Sequence, residues 1–284
     1  MPQLTGRGFL LLAALLLGAC DANLHEPLRL RPQAQPYVQH SDLLLSLQTP
    51  QTEARASAAP GSADWFKRLL YGPLHDYGEA AAPAVTTAPP PAAGVDVAPL
   101  LVDALREQLQ AIAWLHLESS AVFASDAPPA PEAGRSTFWT QAQIEFSADA
   151  ASLQLRLRCA LTPPRRADNH EVAQAFSLAQ QYADAAYRAD LAYTLRLPQA
   201  SRKREDNLAL WQQQGALREL LSAPAAQLAQ TLAQDLRGEL PSRGVRKELV
   251  EGEYAPLLVE QGQARLFRLE DGSLRWYEQL DRKN

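Results

Sequence analysis

The chain has 284 residues, a formal net charge of −5 and 46% hydrophobic residues. The acidic balance excludes a general nucleic-acid binder, which needs a clustered basic face to displace counterions. Its two cysteines, Cys20 and Cys159, supply no disulfide framework, so one large domain or two small ones must hold together through their core.

At the N-terminus, Arg7 precedes an unbroken apolar run from Phe9 to Leu17, which ends in Gly18 and Ala19 beside Cys20. A bilayer crossing takes about 20 apolar residues and a signal-peptide core about 7 to 15, so this run is a signal core. The motif Leu17-Gly18-Ala19-Cys20 resembles the lipobox of bacterial lipoprotein signal peptides. That resemblance implies removal of residues 1–19, a diacylglycerol thioether on Cys20, and an N-acyl chain at the new terminus. Each buried methylene contributes roughly 0.8 kcal/mol, so a multi-chain anchor of this kind is effectively permanent. The implied location is the cell envelope, lipid-anchored and facing the periplasm. Asp21 resembles the enterobacterial signal for inner-membrane retention, and the outer membrane stays open as the alternative. An ordinary secretory signal with an incidental cysteine is the plainer reading.

Residues 20–36 follow as anchor and tether, polar and proline-bearing without periodicity. Tyr37 to Leu47 has the character of a strand. Ser62 to Tyr71 is a short amphipathic segment in which Trp65, Phe66 and Tyr71 accompany Lys67 and Arg68. That composition suits a partner-binding or membrane-interface anchor, and equally an ordinary core cap. Residues 79–94 (EAAAPAVTTAPPPAAG) form a Pro/Ala-rich insertion, because consecutive prolines remove backbone donors and fix φ.

From Val95 onward the patterns strengthen. Val97, Leu101, Leu105, Leu109 and Ile112 recur at helical spacing, and Trp114 to Leu117 then turns extended. Ala142, Ile144 and Phe146 alternate with polar neighbours. After a turn near Ser147 to Ala151, Leu153, Leu155, Leu157, Cys159 and Leu161 alternate with Gln154, Arg156 and Arg158, which predicts an antiparallel hairpin. Tyr187 to Leu197 repeats the alternation, and Leu208 to Trp211 is a candidate fourth strand. Ser222 is the predicted cap of a helix with Pro224 in its first turn and a stripe of Leu228, Leu232 and Leu236. Asp271-Gly272 is the predicted turn of a last hairpin within Gln263 to Tyr277.

Together these signals predict an α+β fold: an antiparallel sheet covered by two or more amphipathic helices, with an extra C-terminal hairpin. Domain boundaries fall at 37–240 for the body and 241–284 for a C-terminal β-hairpin extension. The order of elements, from PLLVDALREQLQAI through SLQLRLRCAL, YRADLAYTLRL and LALW to APAAQLAQTLAQDL, resembles envelope lipoproteins with a domain like the TolB N-terminal domain. LpoB and PelC belong to that group. The resemblance implies a non-catalytic accessory role.

Catalytic signatures are weak. The histidines at 25, 40, 75, 116 and 170 show no zinc-binding spacing, so no metal or other cofactor is expected. His116 and Glu118 would share one face of a strand, and Cys159 lies in an apolar row, where free cysteines serve as packing. Arg165 and Arg166 follow Pro163-Pro164 in a loop, as a solvated turn or a docking point for an anionic glycan or partner. The expected function is a lipid-anchored accessory lipoprotein, not an enzyme, that docks on an envelope complex. The alternative is a cell-wall or polysaccharide-acting enzyme or glycan-binding module drawing on Glu118, Glu145, Asp149 or Asp190.

Overall fold

The computed structural model describes residues 27–48, 97–123, 134–164 and 185–281. A single 3-10 turn at Pro32–Ala34 leads into helix α1 (Gln35–Val38) and strand β1 (His40–Gln48). Helix α2 (Ala98–Gln110) precedes strands β2 (His116–Phe123), β3 (Ser136–Phe146), β4 (Ser152–Thr162) and β5 (Tyr187–Arg196). Helices α3 (Arg204–Gln214) and α4 (Leu217–Arg237) then lead to β6 (Arg246–Val250), β7 (Glu253–Gln261), β8 (Ala264–Arg268) and β9 (Leu274–Gln279).

Among the described residues, nine strands form one sheet in the order β2-β1-β3-β4-β5-β9-β8-β7-β6. β1 runs parallel to both β2 and β3, and β5 runs parallel to β9. The remaining neighbours are antiparallel. The expectation of an antiparallel, TolB-like sheet covered by amphipathic helices, with an extra C-terminal hairpin, is therefore corrected. The sheet is large and mixed, and among the described residues strands dominate and the four helices are mostly short. Four strands, not one hairpin, follow α4, and β9 inserts them beside β5 as a continuation of the same sheet. A period of two reveals a strand but not the direction of its neighbour, so the three parallel pairings left no local signal.

The main core lies on one face. Leu43 and Leu45 of β1, Phe138 of β3, Leu153 to Leu161 at alternate positions of β4, and Tyr187 and Leu191 of β5 meet Leu101, Leu105 and Leu109 of α2 and Leu228 and Leu232 of α4. β1 is buried on its other face too, where Leu44, between Asp42 and Ser46, packs with Trp139 and Ala160. Burial on both faces suits a strand with parallel neighbours on each side.

Two helix expectations also shift. Leu208–Trp211 belongs to α3, not to a strand. Asn207 and Trp211, one turn apart, both reach the β3–β4 turn: Asn207 Nδ2 donates to the Asp149 carbonyl at 2.7 Å, and Trp211 Nε1 to the Ala150 carbonyl at 2.8 Å. Helix α4 starts at Leu217 behind Ala216, so Ser222 is not its cap and Pro224 lies inside it. At the other end, Gly238 closes α4 at φ 70°, the left-handed geometry that favours glycine.

The C-terminal strands are tied to α4 through a buried polar contact. Trp276 Nε1 donates to Thr231 Oγ1 at 2.9 Å, while the Thr231 hydroxyl donates to the Gln227 carbonyl at 2.7 Å. Thr231→Val keeps the side-chain shape but leaves the indole N–H unpaired. It is expected to cost about 1–3 kcal/mol, read as a lower urea midpoint with tryptophan fluorescence and circular dichroism still coincident.

Candidate functional site: an arginine-lined sheet face

The face of β4, β5 and β9 turned away from the helices is built from the polar positions of the same alternation that fills the core. Arg158 stands directly opposite Asp190 in the β4–β5 register, Arg156 lies diagonal to it, and Arg275 enters from β9 beside Ala192. Asp190 consequently receives three guanidinium groups. Arg156 binds both carboxylate oxygens, with Nε to Oδ1 at 3.0 Å; Arg275 Nη1 reaches Oδ1 at 3.0 Å; Arg158 Nε stands 3.6 Å from Oδ2.

Burial alone would raise the Asp190 pKa. The hydrogen bond from Arg156 and the charges of Arg275, Arg156 and Arg158 outweigh it and hold the carboxyl below the ordinary aspartate range. Asp190 itself is largely buried, whereas Arg156 and Arg158 keep 30% and 34% of their side chains exposed, so positive charge faces solvent. Arg188 and Arg196 share the Asp190 side of β5 by alternation, and the Arg196 guanidinium lies 5.0 Å from the Tyr277 ring centre. Glu145 and Glu251 lie near Arg156, and Glu251 accepts from the Tyr277 hydroxyl. The patch therefore holds five arginines against three carboxylates, in a chain whose net charge is −5.

The sequence candidates fall differently. Cys20 with Leu17, Gly18 and Ala19, the aromatic segment of Trp65, Phe66 and Tyr71, the Pro/Ala-rich stretch 79–94, and Arg165 with Arg166 all lie outside the described residues. Each of the four candidate carboxylates has a local bonding partner. Glu118, on edge strand β2, binds His40 Nδ1 at 2.8 Å, and that bond lowers its pKa. Asp149 serves the β3–β4 turn, accepting from the Ser147 hydroxyl at 2.7 Å and the Ala151 amide at 3.0 Å. Glu145 accepts from Gln143, and Asp190 is held by arginines. His116 lies beside His40, with ring centres 5.3 Å apart. Among the described residues, no group of three His, Cys, Asp or Glu side chains is arranged to hold a metal ion. A shallow depression lined by Ser147, Asp149, Arg196 and Gln279 contains one acidic group, already engaged in its turn.

Cys159 is fully buried beneath this face, and burial pushes its thiol up to about 12. Comparison with protein-family models, curated proteins and solved structures found no match.

Two outcomes follow from this geometry. Asp190→Asn removes the only carboxylate bonded to Arg156 and Arg275 in the β5 row and should destabilise the fold by about 3–5 kcal/mol. Because the Asp190 pKa is depressed on folding, its contribution is complete above the ordinary value of 3.8 and disappears as pH falls through the folded value. The gap in stability between wild type and variant should therefore narrow in acid. Cys159 should resist iodoacetamide at pH 8 in the native protein and react fully in guanidinium, as read by peptide mass spectrometry; fast native labelling would contradict the buried assignment.

Proposed function

We propose that the protein is a lipid-anchored, non-catalytic accessory lipoprotein of the bacterial cell envelope, and that it docks on an acidic surface of an envelope protein complex through the arginine-lined face. The observation that carries the docking half is the gathering of Arg156, Arg158 and Arg275 on one carboxylate. Complementary charge of this kind raises association rates and fixes register more than it adds raw affinity. Guanidinium groups already oriented by Asp190 lose little freedom when a partner carboxylate arrives.

The lipid half rests on the resemblance of Leu17-Gly18-Ala19-Cys20 to a lipobox. The first described residue, Pro27, is bonded into the body through its neighbour Leu28, which pairs with Arg188 at 2.9 Å in both directions. The chain from Cys20 to Pro27 spans at most about 25 Å even when extended. An anchor at Cys20 would hold the start of β5, and with it the arginine face, close to its own membrane.

The hydrolytic alternative needs two carboxylates flanking a sugar at a separation of roughly 5–9.5 Å. Glu118, Glu145, Asp149 and Asp190 each have a local partner instead, and this favours the docking reading.

Mass spectrometry of the membrane-derived N-terminal peptide should find acylated Cys20, and Cys20→Ser should release the chain from membranes. In crosslinking from intact envelopes, Arg196→Glu combined with Arg158→Gln should reduce recovery of a partner at low salt and flatten its salt dependence. An unmodified N-terminus would refute the anchor. Unchanged partner recovery would refute the arginine face as the docking surface.

A further inference from the structure

Residues 27–36 lie on the body as a strap, and none of them is buried. What fastens them is local. Leu28 exchanges two backbone bonds of 2.9 Å with Arg188, on the edge of β5 that β9 takes over at Leu191. Pro27 lies over the β8–β9 turn, where a Cβ at Gly272 would sit 3.6 Å from its ring, and Leu30 packs on the main core while partly exposed. Arg29 works against these contacts. Burial lowers the pKa of Arg268, and the charge of Arg29 lowers it further against the opposing charge of Asp235, so two like charges press on the strap. From Tyr37 on, the chain is clamped. Val38 is fully buried, Ser136 Oγ donates to the Tyr37 carbonyl at 3.0 Å, Ser41 Oγ to the Val38 carbonyl at 2.9 Å, and the His116 amide to the Gln39 carbonyl at 2.6 Å. Segments without buried side chains open at a small fraction of the global free energy, so strap and clamp belong to different cooperative units.

We propose that residues 27–36 are a releasable latch that gives the tether two lengths. Latched, the chain is free from Cys20 to Pro27 and spans at most about 25 Å; released, it is free as far as Val38 and spans at most about 60 Å. In the short form the arginine face is held beside its own membrane, and in the long form it meets a partner standing farther out. The latch itself stands on the described residues, while its consequence for reach rests on the anchor at Cys20. Arg29 sets the balance between the two forms, because its repulsion with Arg268 is relieved on release. Two backbone bonds and one partly covered leucine oppose that repulsion, so a change of one charge shifts the populations.

Amide exchange of the unlipidated Cys20→Ser chain tests the latch. The Leu28 and Arg188 amides should share one opening rate, at least about tenfold faster than the His116 amide at the clamp. Arg29→Glu should slow both, and added salt should slow exchange in the chain that keeps Arg29 but speed it in the variant, a reversal that a merely structural strap would not show. Leu28→Pro removes the bonded N–H and should expose the Arg188 amide without changing His116. Reach is read in the lipidated full chain on vesicles with an acceptor dye on their headgroups and a donor on Lys247→Cys. Lys247 is exposed and Cys159 is buried, so the label enters one site. Leu28→Pro should lower energy transfer, and Arg29→Glu should raise it. Leu28 and Arg188 exchanging only at the His116 rate, or energy transfer indifferent to Leu28→Pro, would overturn the latch. A chain that never joins vesicles would refute the anchor instead, and the exchange result would still decide the latch.

Discussion

Asp190 is the side chain on which the two halves of the sheet converge. It sits on β5, its arginine partners come from β4 on one side and β9 on the other, and β5 is where the first five strands meet the last four. Without its charge, Arg156 and Arg275 would crowd one another across the seam in a partly dry setting, where unpaired charge is costly. One carboxylate thus sets the register of a parallel joint that has no hairpin of its own. The same group leaves surplus guanidinium charge facing outward, so the joint and the candidate docking face are one feature.

On the opposite face the seam is closed by apolar and aromatic packing. Tyr193 stacks on Trp276 with ring centres 6.0 Å apart, and Tyr187 donates to Asp235 of α4 at 2.9 Å. Helices α2 and α4 cover β1 to β5 and β9, Leu266 of β8 and Leu258 of β7 are buried in the same core, and beyond them the cover stops. What remains, β6 and the outer half of β7, has an ion-pair network on one side and bare Leu249 and Tyr254 on the other. Stability and interaction are in this way distributed along the sheet: the middle holds the body together, and the far edge is open.

Much of the first half was legible in the sequence because its signals are local. The alternation in β3, β4 and β5 and the stripe of α2 require only neighbours two or four residues apart, and Ser147 to Ala151 punctuates a hairpin. LALW misled because four apolar residues do not distinguish a strand from a helix; Asn207 and Trp211 chose the helix by bonding a turn about sixty residues away. Ser222 misled as a cap because helix α4 begins at Leu217 and carries Pro224 within it. The site was half visible. Arg156, Arg158 and Asp190 occupy polar positions in two predicted strands, but their register and the arrival of Arg275 from 85 residues downstream depend on a parallel pairing that no local pattern encodes. The lipobox and aromatic readings concern residues beyond the described body, so the fold neither adds to them nor subtracts from them.

The seam between β5 and β9 is the element on which this view of the molecule stands, and native-state amide hydrogen exchange examines it strand by strand. Amides of β5 and β9, such as Leu191, Tyr193 and Trp276, should open with one shared free energy equal to that of global unfolding. Exchange of β6 to β9 as a separate, much less protected unit would show that the C-terminal strands are only loosely appended and that Asp190 does not join one body.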